Sequence, residues 1–241
     1  MEPGASPVVS WCDLTAPALI VGRSAAPPPV DWQACTRLGL PVHRRASGGG
    51  AVLWDADLVA LDVVLPPGHE LLGADVVAAY RWVGEAVRRA LADCNVEADL
   101  VDVRRARADT PDQVLEASCF GGLSPWELTA DGRKIVGLSQ VRRRTGGAFQ
   151  VGIPMRFDGA TLAETLFVDT ERLAAALRAR VVDLATLRPE VRRGTLVQHL
   201  RARLGEALGG RRAPSGLTDT ELQREEKASV STYAALTETG R

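Results

Sequence analysis

Lys134 follows an Asp131-Gly132 pair that separates two strand-forming runs. In that setting Asp-Gly is a strong hairpin signal, and a two-residue turn sets Thr129 across from Lys134. On the second strand Lys134, Val136, Leu138 and Gln140 then share one face, while Ile135, Gly137 and Ser139 share the other. Among 29 Lys and Arg residues only two, Lys134 and Lys227, are lysines. A lysine kept in a mostly apolar strand points to a need for a compact amine that can lose its proton. The ordinary alternative is a strand lysine that lifts its ammonium to water.

Arg44-Arg45-Ala46-Ser47-Gly48-Gly49-Gly50-Ala51-Val52 is the second such stretch. Three glycines between strand-like runs free the backbone for positive φ and close approach, and their bare N–H groups suit an anion. Arg44, Arg45 and Ser47 add charge and a hydroxyl. A plain flexible turn fits these residues as well as a ligand loop does. Cys12, Cys35, Cys94 and Cys119 are far apart, with no C-x-x-C pair and no histidine at metal-ligand spacing. Neither a disulfide framework nor a zinc site is expected, and each cysteine reads first as a small apolar residue.

The elements that must position these residues follow from periodicity. Ala18–Gly22, Leu40–His43, Val59–Leu65 and Val96–Val103 read as strands, and Asp31 caps a short helix ending at Leu38. Ala74–Asp93 has the clearest helical period, with Val76, Tyr80, Val83, Val87 and Leu91 on one side. Arg104–Pro111 reads as a charged connection, and residues 1–15 carry little pattern. Gly147–Ile153 supplies a third strand after the hairpin, which makes an antiparallel meander. Leu162–Phe167, Thr170–Arg180 and Thr195–Leu208 read as helices. The predicted class is α+β, a mixed and largely antiparallel sheet flanked by helices. One domain over residues 9–208 is expected, with a polar tail over 209–241 that frays or adds a short helix.

A net charge of -1 and a pI near 6.3 argue against a nucleic-acid binder. The N-terminus has neither the basic segment nor the apolar run of a signal peptide, and no apolar window spans a membrane, so a cytoplasmic location is expected.

With both motifs in view the chain resembles the catalytic domain shared by lipoate-protein ligases, octanoyltransferases and biotin-protein ligases, over roughly Pro17 to Ile153. The lipoyl branch carries R-R-x-S-G-G-G-A-V, matched by Arg44 to Val52, and G-x-K-x-x-G-x-x-Q-x-R, matched by Gly132 to Arg142. The biotin branch's G-R-G-R-x-G-R type loop is absent. The resemblance implies a biotin/lipoate ligase-like fold with a tunnel for a C8 acyl chain between the glycine loop and the lysine strand. It puts Arg45, Ser47, Gly48, Gly49, Gly50, Ala51, Gly137 and Gln140 around the substrate. Lys134 would place positive charge where negative charge develops. One bacterial octanoyltransferase class has a nucleophilic cysteine in a segment resembling A-C-F-x-x-P-S-x-Y-E-L, and Ser118-Cys119-Phe120-Gly121-Gly122-Leu123-Ser124-Pro125-Trp126-Glu127-Leu128 is similar to it. A thiol at Cys119 would carry the acyl group as a thioester, and a nearby ammonium would depress its pKa.

Two enzymatic courses are implied. In one, Cys119 receives an octanoyl or lipoyl group from an acyl carrier protein or a lipoylated donor. It then passes the group to a lysine of a lipoyl domain, in a 2-oxoacid dehydrogenase or a glycine cleavage H-type protein, with no tightly bound cofactor. In the other, lipoate and ATP, with Mg, form an acyl-adenylate near Lys134. Ligases of that kind often carry an accessory domain, for which the residues after the last helix are too few; this and Cys119 favour transfer. Leu53-Trp54-Asp55 and Ala60-Leu61-Asp62 depart from a histidine and from a serine or asparagine that many relatives carry. They motivate a third reading, an acyl-binding relative without turnover. The Arg142-Arg143-Arg144 turn offers a docking point for an acidic partner.

Overall fold

The computed structural model describes residues 5–12, 16–23 and 28–210, and the backbone of 233–236. Six strands pair in the order β1 (Val8–Cys12), β5 (Leu58–Leu65), β9 (Gly146–Pro154), β8 (Arg133–Arg143), β7 (Leu128–Ala130) and β6 (Asp99–Leu100), each neighbour antiparallel. A second sheet runs β10 (Tyr233–Leu236), β3 (Val42–Arg45), β2 (Ala18–Val21) and β4 (Val52–Trp54), with only β2 and β3 parallel. The expected α+β architecture is therefore present, divided over two sheets.

Alternation along the central strands decides which face of the large sheet does what. Val59, Leu61, Val63 and Leu65 of β5, with Phe149, Val151 and Ile153 of β9, point to one face. There they meet Val83, Val87 and Leu91 of α2 (Tyr80–Ala92), Leu184 of α7 (Leu184–Leu187) and Leu196, Leu200 and Leu204 of α8 (Arg193–Ala207). Each such fully buried side chain contributes about 2 kcal/mol. Leu58 and Ala60 face the other way, toward the second sheet and toward α4 (Gln113–Glu116), α5 (Gly159–Glu164) and α6 (Thr170–Arg180). The candidate site residues gather on this second side.

Several elements match their sequence expectations. Asp31 caps α1 (Trp32–Arg37) by accepting from the Ala34 N–H at 2.9 Å. Helix α6 has the expected bounds. Asp131 and Gly132 both take positive φ, 49° and 75°, and Thr129 does pair with Lys134.

Others differ for local reasons. Helix α2 starts at Tyr80, because the Asp75 carboxylate accepts from the Val77 and Ala78 N–H groups and holds a turn there. Val76 and Val77 are accordingly exposed. Strand 96–103 shrinks to β6, because Asp102 accepts from the Arg105 N–H at 2.7 Å and starts α3 (Val103–Ala108) in place of a loop. Likewise α5 begins earlier than expected, at its Asp158 cap. Strand β1 lies in a stretch with little pattern; its five residues are only half-buried at the sheet edge. In the tail, Tyr233–Leu236 pairs with β3, so this part returns to the second sheet; the remainder of 211–241 lies outside the described residues. Among the described residues no helix is long and apolar enough to cross a membrane.

Candidate active site

Strand β8 carries an irregularity that re-aims Lys134. Thr129 pairs with Lys134 but Leu128 pairs with Val136, so Ile135 is one residue too many. Such a bulge breaks the period of two. Lys134 leaves the row of Val136, Leu138 and Gln140 and joins Gly137 and Ser139: a side chain on Gly137 would lie 3.6 Å from the Phe120 ring and 3.8 Å from Lys134 Cε. Ile135, Val136 and Leu138 all remain in the helix-side core. The face assigned from sequence is thus corrected, and the lysine is not snorkelling. It is 2% exposed.

The same shift corrects Gln140, which turns away from the site. Its amide donates to the Val76 carbonyl at 3.2 Å and accepts from Arg142 Nε at 2.9 Å. Its neighbour Ser139 takes the site-facing position.

The triglycine loop is built by Arg45, 4% exposed at the end of β3. The guanidinium donates from Nε and Nη2 to the Gly48 carbonyl at 3.2 and 2.8 Å, from Nη2 to Gly50 at 2.9 Å and from Nη1 to Ile20 at 3.3 Å. Arg45 therefore shapes the loop from behind. At the loop's exit, the Ala51 N–H donates to the Ala117 carbonyl at 2.7 Å and the Cys119 N–H returns a bond to the Ala51 carbonyl at 2.8 Å. These bonds lash the cysteine to the glycines. Gly49 has φ 95°, and a Cβ there would stand 3.6 Å from Cys119 Sγ.

Lys134 closes the arrangement from the other side. Nζ donates to the carbonyls of Cys119 and Gly122, each at 2.9 Å, and pairs with Glu127 Oε2 at 2.7 Å. Glu127 is 1% exposed, and burial raises its carboxyl pKa against the opposing pull of Lys134 and of the Leu138 and Ser124 N–H groups. Arg45, Ser47, Gly48, Gly49, Gly50, Ala51, Cys119, Lys134 and Gly137 thus converge. Cys35 and Cys94 are core residues, and burial lifts the Cys35 thiol to about 11.

Sequence reasoning missed Glu127, Ser139 and Gln150. Ser124-Pro125-Trp126-Glu127 has the Ser-x-x-Glu spacing in which the acid reaches back to the serine N–H, and it does so here at 2.7 Å. Gln150 stands out only as an amide in an apolar strand. Its carbonyl oxygen accepts from the hydroxyls of Ser47 and Ser139, and its NH₂ faces both oxygens of Asp62 at 3.2 and 3.4 Å. This polar row follows strand register, Ser139 to Gln150 to Asp62.

Burial pushes the Asp62 carboxyl up to about 6, with the Gln150 amide opposing. The folded state then holds the proton more tightly than the unfolded chain, so this residue's contribution falls as pH rises from about 4 to about 6. Asp62→Asn should accordingly gain about 2 to 3 kcal/mol over the native protein at pH 7 and show no gain at pH 4, by urea unfolding at both values. An equal difference at the two pH values would contradict the assignment.

The family model for the lipoyl protein ligase A/B catalytic domain matches residues 4–208. The chain belongs to that family. Within the lipoyl protein ligase A/B group, it is 34% identical over 165 residues to the octanoyltransferase LipM of Exiguobacterium sp., covering 67% of this chain and 59% of that relative. It is 30% identical over 209 residues to the LipM of Kyrpidia tusciae, covering 82% and 74%. Against the first three such relatives the chain spans only 59%, 49% and 55% of their length. In fold it is similar to a lipoate-protein ligase A crystallised with ATP, with TM-score 0.72 and 20% identity over 94% of this chain and 83% of that one. It is also similar to a bipartite lipoate protein ligase from Thermoplasma acidophilum, with TM-score 0.71 and 18% identity over 93% and 80%.

Proposed function

We propose that the protein is an acyltransferase of protein lipoylation that carries an octanoyl or lipoyl group on Cys119. The observation that carries this reading is the thiol standing against the triglycine bend with its own carbonyl held by Lys134. The Cys119 thiolate attacks the carbonyl of a carrier thioester; a new C–S bond forms, and the old one breaks to release the carrier as its thiolate. A lysine amine of a lipoyl domain then attacks. A C–N bond forms, the Cys119 C–S bond breaks, and the amine's proton is lost as the thiol is regenerated. The sequence similarity to octanoyltransferases supports this order of events.

The acyl tail would lie on small residues of the large sheet. Gly137, Gly152 and Ala60 are register partners across β8, β9 and β5, which gives a strip of small residues about 10 Å across. The polar row of Ser139, Gln150 and Asp62 runs next to it. On this reading no cofactor is bound tightly, and the protein works in the cytoplasm. ATP and Mg belong to the ligase course alone.

The acceptor is a lipoyl domain of a 2-oxoacid dehydrogenase or an H-type protein, and an acyl carrier protein is the donor. Arg143 and Arg144 at the tip between β8 and β9 are exposed, while Arg142 is tied to the carbonyls of Leu72 and Gly73. The tip begins about 13 Å along the strand from Ser139. Docking of an acidic domain there predicts that Arg143→Glu with Arg144→Glu slows association about tenfold at low salt and flattens its salt dependence. Stopped-flow kinetics unchanged by the substitutions would remove the docking role.

Transfer of octanoyl from octanoyl-acyl carrier protein to a lipoyl domain without ATP is the test. Product formed only from the free acid with ATP would establish the ligase course. Bound acid with neither product would leave an acyl-binding protein.

A further inference from the structure

Lys134 has its hydrogen-bonding capacity filled. Nζ has three hydrogens at most, and three acceptors surround it: the carbonyls of Cys119 and Gly122 and the Glu127 carboxylate. The two carbonyls can only accept, so two hydrogens are committed to the cysteine loop, and the third lies on the line to Glu127. A lysine so occupied has no N–H to offer an incoming acyl carbonyl unless one bond breaks.

Glu127 is as fully engaged. Oε1 accepts from the Leu138 N–H at 3.0 Å, on the lysine's own strand, and Oε2 accepts from the Ser124 N–H at 2.7 Å, on the cysteine loop. One carboxylate thus ties strand, loop and ammonium together. Helix α2 backs this corner closely, since a Cβ on Gly84 would fall 2.4 Å from the Trp126 carbonyl oxygen. The loop from Cys119 to Glu127 has a wall behind it and one ionic anchor inside.

We propose that Glu127 is a positioning residue for acyl transfer: it occupies one N–H of Lys134 so that the other two hold the Cys119 and Gly122 carbonyls and set the thiol against the triglycine bend. This rests on the thioester reading above. Lys134 then acts through the loop and not on the acyl group itself. Because both Glu127 oxygens accept a backbone N–H, a glutamine there must turn its NH₂ against one of those donors. Glu127→Gln is therefore disruptive although nearly isosteric. Glu127→Asp keeps the charge but withdraws it by one methylene.

The test is single-turnover acylation of Cys119 by octanoyl-acyl carrier protein, followed by intact mass, on native protein, E127Q, E127D and K134M, with folding checked by circular dichroism. A misplacement of about 1 Å costs about a hundredfold in rate. E127Q and K134M should each lose about that much, equally to within threefold, while half-saturation by the donor shifts less than threefold. E127D should lose about tenfold, and it carries the test if E127Q does not fold. E127Q or E127D acylating at the native rate overturns the role. So does a K134M loss more than tenfold beyond that of the folded Glu127 variant, because the lysine would then act on the acyl group directly. Native protein that takes up no acyl group defeats the thioester reading, and this inference with it.

Discussion

Arg45→Met should slow acylation of Cys119 about a hundredfold or more and destabilise the protein by about 3 to 5 kcal/mol. The guanidinium makes four hydrogen bonds to the carbonyls of Gly48, Gly50 and Ile20. Methionine keeps the apolar stem and removes every donor. Each buried carbonyl left without a partner costs about 1 to 3 kcal/mol, although the loop can open two of them to water. Once opened, Gly49 no longer stands beside the thiol. Arg45→Lys should fail to rescue, because an ammonium cannot present the planar fork that reaches three carbonyls at once. Acylation followed by mass and stability followed in urea check both halves. A methionine variant that acylates at the native rate would show that the loop keeps its shape without the clamp.

A pair of glycine substitutions should separate the closely packed position from the open one. A Cβ on Gly50 would fall 2.6 Å from Ser118 C and 2.7 Å from the carbonyl oxygens of Ala117 and Glu116. All three are backbone atoms, so no flexible side chain can yield. Gly50→Ala must push the loop off the cysteine segment and break the bonds between Ala51 and residues 117 and 119. The expected loss is about a hundredfold in acylation with about 1 to 3 kcal/mol in stability. Gly48 is exposed, its nearest neighbour to a new Cβ is the Arg23 carbonyl at 3.8 Å, and it needs no positive φ. Gly48→Ala should stay within about 0.5 kcal/mol of native in stability. Equal losses at the two positions would mean that the loop does not pack against Cys119 as described.

The contrast between those glycines marks where sequence ceases to inform. Three consecutive glycines, an Asp-Gly turn and an isolated lysine announce themselves through residue types whose backbone or charge requirements are local. The meander and the Asp31 cap were legible for the same reason. The bulge at Ile135 was not, because no glycine or proline marks it; it follows from how Leu128 and Thr129 meet β8. That single extra residue exchanges the faces downstream of it, and so it removes Gln140 from the site and admits Ser139. Glu127 and Gln150 were hidden in another way. Their partners lie 7 and 88 residues distant, at Lys134 and Asp62, and only folding brings them together. Asp62 was visible as a departure from the family pattern, but its partner Gln150 was not.

Acylation of Cys119 itself, the step proposed above, can be read directly from the modified peptide. Native protein is incubated with octanoyl-acyl carrier protein, quenched in acid and digested, and the modified peptide is sequenced by mass spectrometry. The expected result is one octanoyl group on the peptide containing Cys119, removed by hydroxylamine and missing from Cys119→Ala. An octanoyl group on any other residue, or an unchanged yield in Cys119→Ala, would contradict it.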